Sequence, residues 1–429
     1  MVWLKPSVIV GSSFKRSGVS KLIRFLLSFG PGIFAIGYTI GTGSVTSMIV
    51  AGNSFGMDLL WVLAFSCLFS GVLIYVSGQY YLSTGETILR AVRQHLPTGR
   101  IMAVIIIISV GLGQWNSLIG ILGITSNVIF EILQINFPQL TDKYAVVLGI
   151  ATFIIGIFYL LLLKGSYSLF EKVLALFVSA MGLSFFFTLF FVVPLPMEVV
   201  LGLIPRIPQV EGSGILIAAF VGTTMAAATF LSRPLFIQGK GWKINDQATH
   251  RNDAIVAAIL IFVISGSIMS VAAGSLHGSG AQISKVLDMS GALTPLAGKF
   301  AVAVFFIGTL SAGLSSIFPC LMIVPLMIAD YSSGRLDVQS KRFRVITGLA
   351  SVISLSIPVF GVNPIKGQLL SQLLNAFGLP LVILVISLLW NRKGSVSGRK
   401  WFTNTVLLGA LIFALIISYQ GLQDILNAY

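Results

Sequence analysis

The sequence predicts an all-α polytopic membrane protein. Three observations carry that prediction: 56% of the 429 residues are hydrophobic, only 9% are charged, and long apolar runs follow one another with short breaks between them. Mean hydropathy is +0.98. A helix needs about 20 consecutive, mainly apolar residues to cross the hydrocarbon of a bilayer, and a soluble core has no use for such runs in series. Eleven spans are read, near residues 29–50, 58–80, 101–133, 145–163, 169–194, 214–239, 254–277, 297–328, 345–361, 367–390 and 401–419. A soluble fold is excluded.

The first span, Gly30 to Gly52, is interrupted at its centre by Gly41-Thr42-Gly43-Ser44. An unsatisfied backbone group in hydrocarbon costs several kcal/mol, so a break at that depth survives only where it is buried in protein or lines a cavity. Between the first and sixth spans a weak repeat is visible. Gly30-Pro31-Gly32-Ile33 leads to Gly41, and Gly212-Ser213-Gly214-Ile215 leads to Gly222-Thr223-Thr224-Met225, followed by Ala226-Ala227-Ala228-Thr229. Five spans separate the two starts, so the second copy enters from the opposite face. Broken helices at matching positions of inverted halves mark a midplane substrate site in a secondary transporter. The alternative is that these glycines only allow close helix packing.

The remaining chain divides accordingly. Residues 1–26 form a basic, amphipathic segment with no small-residue cleavage site, read as a retained cytoplasmic segment; residues 27–195 form the first repeat, 212–391 the second, and 400–420 the eleventh span. The outer loops Leu195 to Ile207 and Gly278 to Leu293 are read as caps, with gating as the alternative. Cys67 and Cys320 both fall inside apolar spans and are expected to be packed free thiols.

A formal charge of +14 suggests nucleic acid in a soluble protein, but here the placement of charge answers the question. Twenty-one of the 27 Lys and Arg lie before the first span or after the second, fourth, sixth, eighth and tenth. The positive-inside rule then puts the N-terminus in the cytoplasm and the C-terminus outside. The basic excess is topological, and no nucleic-acid partner is expected. The partners expected are the lipid bilayer and a small-molecule or ion substrate, with a monomer plausible and no cofactor.

At the breaks the chemistry consists of hydroxyls and backbone dipoles: Thr42, Ser44, Thr46 and Ser47 at the first, Thr223, Thr224 and Thr229 at the sixth, with no acid, His or Cys. Asp58, Glu86, Glu131, Glu171, Asp253 and Asp330 are read at span ends, and His95, His250 and His277 in loops or at a terminus, so no buried proton relay is expected. Glu171 is read as pairing with Lys172. Arg233, 11 residues past Gly222, is read as snorkelling to the cytoplasmic surface or as a gating or path cation. Gln114, Trp115 and Asn116, Ser265 and Ser267, and Ser371, Gln372 and Asn375 are polar at interior depth and suit interhelical hydrogen bonds. An enzyme is not expected, because no nucleophile, base or metal cluster converges.

Several stretches resemble the Nramp family of proton-coupled divalent-metal transporters: Gly30-Pro31-Gly32, Leu59-Leu60-Trp61-Val62-Leu63, Gly222 onward, Leu293-Thr294-Pro295-Leu296-Ala297-Gly298-Lys299-Phe300, Ala312-Gly313-Leu314-Ser315-Ser316, Ser371-Gln372 and Leu379-Pro380. The resemblance runs from about Lys21 to Asn391 and implies the 5+5 inverted-repeat fold of the amino-acid transporter superfamily, with broken first and sixth helices. The departures fall on the metal site. The family's Asp-Pro-Gly-Asn aligns with Gly41-Thr42-Gly43-Ser44, its Met-Pro-His with Ala226-Ala227-Ala228, a further histidine with Arg233 and the second-span glutamine with Ile74. The third-span acids have no counterpart. Of the aligned ligand positions Gln372 alone is kept.

At an effective dielectric near 20, unit charges about 4 Å apart interact by roughly 4 kcal/mol, so a carboxylate lost beside a divalent ion removes on the order of 8 kcal/mol. Micromolar affinity is about 8 kcal/mol in total. The sequence therefore leads to the expectation of an alternating-access transporter of a small non-metal solute, a carboxylate or amino acid, held at Gly41, Thr42, Gly43, Ser44, Gly222, Thr223, Thr224, Ala226, Ala228 and Gln372, with the three alanines enlarging the cavity and a uniporter as the default. The alternative is a divalent-metal transporter of the Nramp-related kind, moving manganese or a largely hydrated ion such as magnesium. A non-transporting membrane scaffold is the third reading.

Overall fold

The computed structural model describes residues 31–140, 142–164, 167–189, 194, 196–208, 213–278, 294–336, 338–360, 363–392 and 400–427. The basic segment 1–26, Gly30, Leu195, Gly212, the loop from 279 to 293 with Lys285, and Lys393 and Arg399 lie outside the described residues. Among the described residues all regular structure is helical, and ten helices are long and apolar enough to cross a membrane, or eleven with the bent first pair counted as one span.

The first span is α1 (Gly32–Thr39) followed by α2 (Thr42–Phe55), bent by 52° at Ile40 and Gly41. Then come α3 (Leu60–Thr84), a short amphipathic α4 (Ile88–His95), α5 (Gly99–Asn136), α6 (Lys143–Leu163), α7 (Tyr167–Leu189) and a loop helix α8 (Pro196–Gly202). The sixth span is α9 (Ser213–Thr224) and α10 (Ala227–Lys240), interrupted at Met225 and Ala226. It is followed by α11 (Gln247–Leu276), α12 (Thr294–Ser333), the ninth span in two pieces α13 (Lys341–Ile353) and α14 (Ser356–Phe360), α15 (Pro364–Asn391) and α16 (Lys400–Asn427).

The inverted repeat is visible in the packing. Span 3 (α5) lies along span 10 (α15) as span 8 (α12) lies along span 5 (α7), and α2 of span 1 lies on span 7 (α11) as α10 of span 6 lies on span 2 (α3). Each of these pairs maps onto the other when the halves are exchanged.

Breaking a helix in hydrocarbon orphans carbonyls in its last turn. Side chains from other spans take them up. Ser316 Oγ donates to Gly37 O at 2.7 Å, Thr223 Oγ1 to Thr39 O at 3.4 Å and Ser70 Oγ to Thr224 O at 2.9 Å. The breaks are therefore built into the bundle from four spans. Their positions are narrower than the sequence suggests: Thr42 to Ser44 already belong to α2, and Gly222 is helical, packed so closely on the Gln372 carbonyl of α15 that a Cβ would overlap it.

Some expectations about charge are corrected by the packing. Glu171 pairs with Lys240 of α10 at 2.6 Å and not with its neighbour Lys172. Adjacent residues on a helix point 100° apart, whereas α10 ends beside α7. The loop containing α8 is pinned, because Trp61 Nε1 donates to Arg206 O at 2.9 Å. Cys67 and Cys320 are buried free thiols, as expected.

Candidate functional site

Where the two broken helices face each other the bundle encloses a polar cavity of about 20 Å³. Tyr38, Gly41 and Gly43 line it from the first span, Thr223 and Ala226 from the sixth, Gln114, Ser117 and Ile121 from α5, Ser316 and Cys320 from α12, and Gln368, Gln372 and Asn375 from α15. Every one of these residues is buried except Tyr38, which is half-buried. Lining positions recur at helical spacing. Gln368, Gln372 and Asn375 sit at i, i+4 and i+7, Gln114, Ser117 and Ile121 at i, i+3 and i+7, and Ser316 and Cys320 at i and i+4, so each helix turns one polar stripe inward.

The amides form a network across the cavity wall. Gln114 Nε2 donates to Asn375 Oδ1 at 3.0 Å, Asn375 Nδ2 to Gln372 Oε1 at 3.2 Å and to Ser117 Oγ at 3.3 Å, and Gln372 Nε2 to Ser117 Oγ at 3.3 Å. The Cys320 thiol points at Gln114 Oε1 at 3.8 Å. Gln368 is different. It is fully buried, and neither its Oε1 nor its Nε2 has a partner.

Of the residues expected at the site, Gly41, Gly43, Thr223, Ala226 and Gln372 line the cavity. Thr42, Ser44, Gly222, Thr224 and Ala228 do not. Ser44 Oγ turns away to Ser265 Oγ at 3.2 Å, Thr224 Oγ1 folds back on Phe220 O at 3.0 Å, and the Ala228 carbonyl accepts from Ser232 inside α10. Thr42 Oγ1 is buried without a partner. Of the three alanines only Ala226 lines the cavity, which stays small. A cavity with about 10–15 Å³ open to a water's centre holds one water, so in this conformation the space takes one water or one bare ion. The sequence reading treated Gln114 and Asn375 only as interhelical bonds and passed over Tyr38, Ser117, Ser316, Cys320 and Gln368. The polar positions spaced by three and four on α15 and α5 mark Gln368 and Ser117, and no such local pattern marks Tyr38, Ser316 or Cys320.

A second polar cluster lies next to the first, and Tyr38 lines both. Arg233 does not snorkel. It is 1% exposed, forms an ion pair with Asp253, and its Nη2 lies 3.0 Å from His250 Nδ1. Asp253 Oδ1 also accepts from Gly32 N, at the start of α1, at 3.2 Å, and His250 Nε2 contacts Tyr75 O at 3.0 Å. His250 and Asp253 are thus interior residues on one face of α11, not loop or end residues, because α11 begins at Gln247 and carries both into the bundle. Asp330 is interior as well, at 1% exposed. Among the described residues no three His, Cys, Asp or Glu side chains group as a metal cluster.

The separate apolar cavity of about 620 Å³ between α3, α11 and α16 is rimmed by the exposed Leu68, Ile255, Ile259 and Phe402 and shares no residue with the polar one.

Two interrupted helices in inverted halves, closing on a buried polar cavity at the bundle centre, define a membrane transporter of the alternating-access class. The description "Natural resistance-associated macrophage protein-like", that of Nramp, matches residues 32–423, and the chain belongs to the Nramp family. It is similar to the divalent metal cation transporter MntH of Vibrio campbellii, at 27% identity over 96% of this chain and 93% of that protein, and to MntH of Deinococcus radiodurans, at 25% identity over 94% and 90%. Among solved structures it superposes on the Eremococcus coleocola manganese transporter bound to an aromatic bis-isothiourea compound, with a TM-score of 0.70 at 16% identity, covering 98% of this chain and 97% of that one. Mhp1, a nucleobase-cation-symport-1 family transporter, follows with a TM-score of 0.58 at 14% identity, covering 94% and 93%. These two show the fold.

The family match and the relatives' names overturn the expectation of a carboxylate or amino-acid solute. No Lys or Arg lines the central cavity.

Proposed function

We propose that this protein carries divalent metal cations across the membrane by alternating access, the central cavity holding the ion after it has shed most of its water. The observation that supports this most directly is a buried cavity of about 20 Å³ lined by amide and hydroxyl side chains and one thiol, with no cationic side chain. Gly41, Gly43, Thr223, Ala226 and Gln372 are the binding positions taken from the sequence, and Thr42 and Ser44 act indirectly, through the first turn of α2. Arg233 acts as a gate residue: with Asp253 it ties α10 and α11 to the Gly32 end of α1, beside the cavity wall formed by Tyr38. The halves 27–195 and 212–391 move against each other, the protein works as a monomer, and it sits with the N-terminus in the cytoplasm and the C-terminus outside. The 21 basic residues on one side support that orientation.

Reconstituted vesicles carrying a divalent-sensitive dye test the reading. Saturable manganese influx, competed by other divalent ions and lost in Gln372→Ala, is expected. An absence of flux with manganese, cobalt, cadmium and magnesium alike sinks it.

A further inference from the structure

The cavity lacks the carboxylate and thioether that the resemblance places at the two breaks, yet it is not without strong ligands. Cys320 enters it from α12, a span that carries none of the aligned ligand positions; the residue is 2% exposed, and its sulfur makes a long contact to Gln114 Oε1. Gln368 enters the same cavity from α15 with both amide atoms unpaired. A fully buried amide is normally hydrogen-bonded, and one left open toward a cavity points to a ligand. Room for it is made by two glycines. A Cβ at Gly120 on α5 would overlap Gln368 Oε1, and one at Gly43 on α2 would come within 2.6 Å of Gln368 Nε2.

We infer that Cys320 and Gln368 are direct ligands of the transported ion. The inference rests on the divalent-cation reading and adds to it the donor set. Thiolate sulfur favours softer metals, whereas magnesium and calcium take oxygen. The Cys320 thiolate supplies the one negative charge among the cavity's lining side chains. As the ion enters, the S–H bond breaks, the proton passes to a water the ion is shedding, and the sulfur electron pair forms the bond to the metal. The Gln368 amide supplies a neutral oxygen from α15, one and two turns from the bonded amides of Gln372 and Asn375.

The test uses the two-cysteine composition of the chain. Cys67 lines the separate apolar cavity, so Cys67→Ser protein retains Cys320 alone. Adding cadmium to this purified protein is expected to produce the ultraviolet sulfur-to-cadmium charge-transfer band, at a one-to-one endpoint. In vesicles, Cys320→Ser is expected to lower the ratio of cadmium to magnesium uptake by about tenfold or more, since even outer-shell partners of a metal are commonly worth 10- to 100-fold in affinity. Gln368→Ala lowers uptake of every divalent ion. The band is read on protein unaltered at position 320, so it holds even where the Cys320 variant fails to fold. No band at saturating cadmium overturns the inference, as does an unchanged uptake ratio in folded Cys320→Ser. Magnesium flux without the band leaves the divalent reading standing and removes only this donor set; a band without any flux does the reverse.

Discussion

At the residue scale, the two polar clusters obey different energetics. Arg233 and Asp253 are each 1% exposed on the side chain, so both charges have left water, and removing one strands the other. Breaking a buried pair of this kind costs about 3–5 kcal/mol, while replacing both partners with well-packed apolar residues is often nearly neutral. Asp253→Asn is therefore expected to lower stability by about that amount and to depress the melting temperature of the purified protein sharply. Arg233→Met combined with Asp253→Leu is expected to recover most of it. Equal melting temperatures for the single and double variants would mean the pair is not coupled. Gly43 and Gly222 make a second contrast. At Gly43 an added methyl meets the ends of two flexible amides, Gln372 and Gln368, whereas at Gly222 it meets the backbone carbonyl of Gln372. Gly43→Ala is expected to fold with near wild-type melting and to lose manganese uptake. Gly222→Ala is expected to cost about 1–3 kcal/mol through overpacking, visible as reduced folded yield before any flux is measured.

At the scale of the element, termini inside the bundle are held by side chains borrowed from other spans. The short helix α4 has no side-chain cap from Thr87, and its N–H groups at Leu89 and Arg90 donate instead to Asp330 of α12, at 3.1 and 3.2 Å. Loss of a helix cap costs about 0.5–2 kcal/mol. Asp330→Ala is expected to fall at the upper end, because it leaves the Leu89 N–H buried and unpaired. Amide exchange over residues 88–95 should accelerate while α15 keeps its protection; unchanged exchange would show that α4 is held by its apolar face alone. The spans were legible in the sequence because hydropathy is a local property: the predicted start at 214 and end at 239 of the sixth span fall one residue inside the helical limits Ser213 and Lys240. Caps such as Asp330 were not. A carboxylate near a span end reads the same whether it faces water or the N-terminus of a helix 240 positions away. The same holds for His250 and Asp253, whose partner Arg233 comes from another span, so their interior position follows from packing and not from any local pattern. The site was half legible: the glycine breaks were visible where they fell, and Gln372 was found through the resemblance. Cys320 and Gln368 required knowing which face of α12 and α15 turns inward.

At the scale of the whole molecule, the odd number of spans and the placement of charge combine into one statement about sidedness. With the bent pair α1 and α2 counted as a single crossing, eleven spans put the two ends of the chain on opposite faces. The positive-inside rule then predicts which face is which: Arg335, Lys341, Arg342 and Arg344 fall between spans 8 and 9, on the side expected to be cytoplasmic. Lys341 and Gln423 are both exposed, at the start of α13 and near the end of α16, and Cys67 and Cys320 are buried and poorly placed to react. A membrane-impermeant maleimide applied to intact cells is therefore expected to label Gln423→Cys and to leave Lys341→Cys unlabelled until the membrane is permeabilised. Labelling of both without permeabilisation, or of neither, would mean an even number of crossings between the two positions, and so a two-piece ninth span that does not cross. The reversed pattern would keep the span count and overturn the charge argument. Inverted repeats make this a meaningful risk, since each half already sits in the membrane in the orientation opposite to the other and only the loop charges break that near-symmetry.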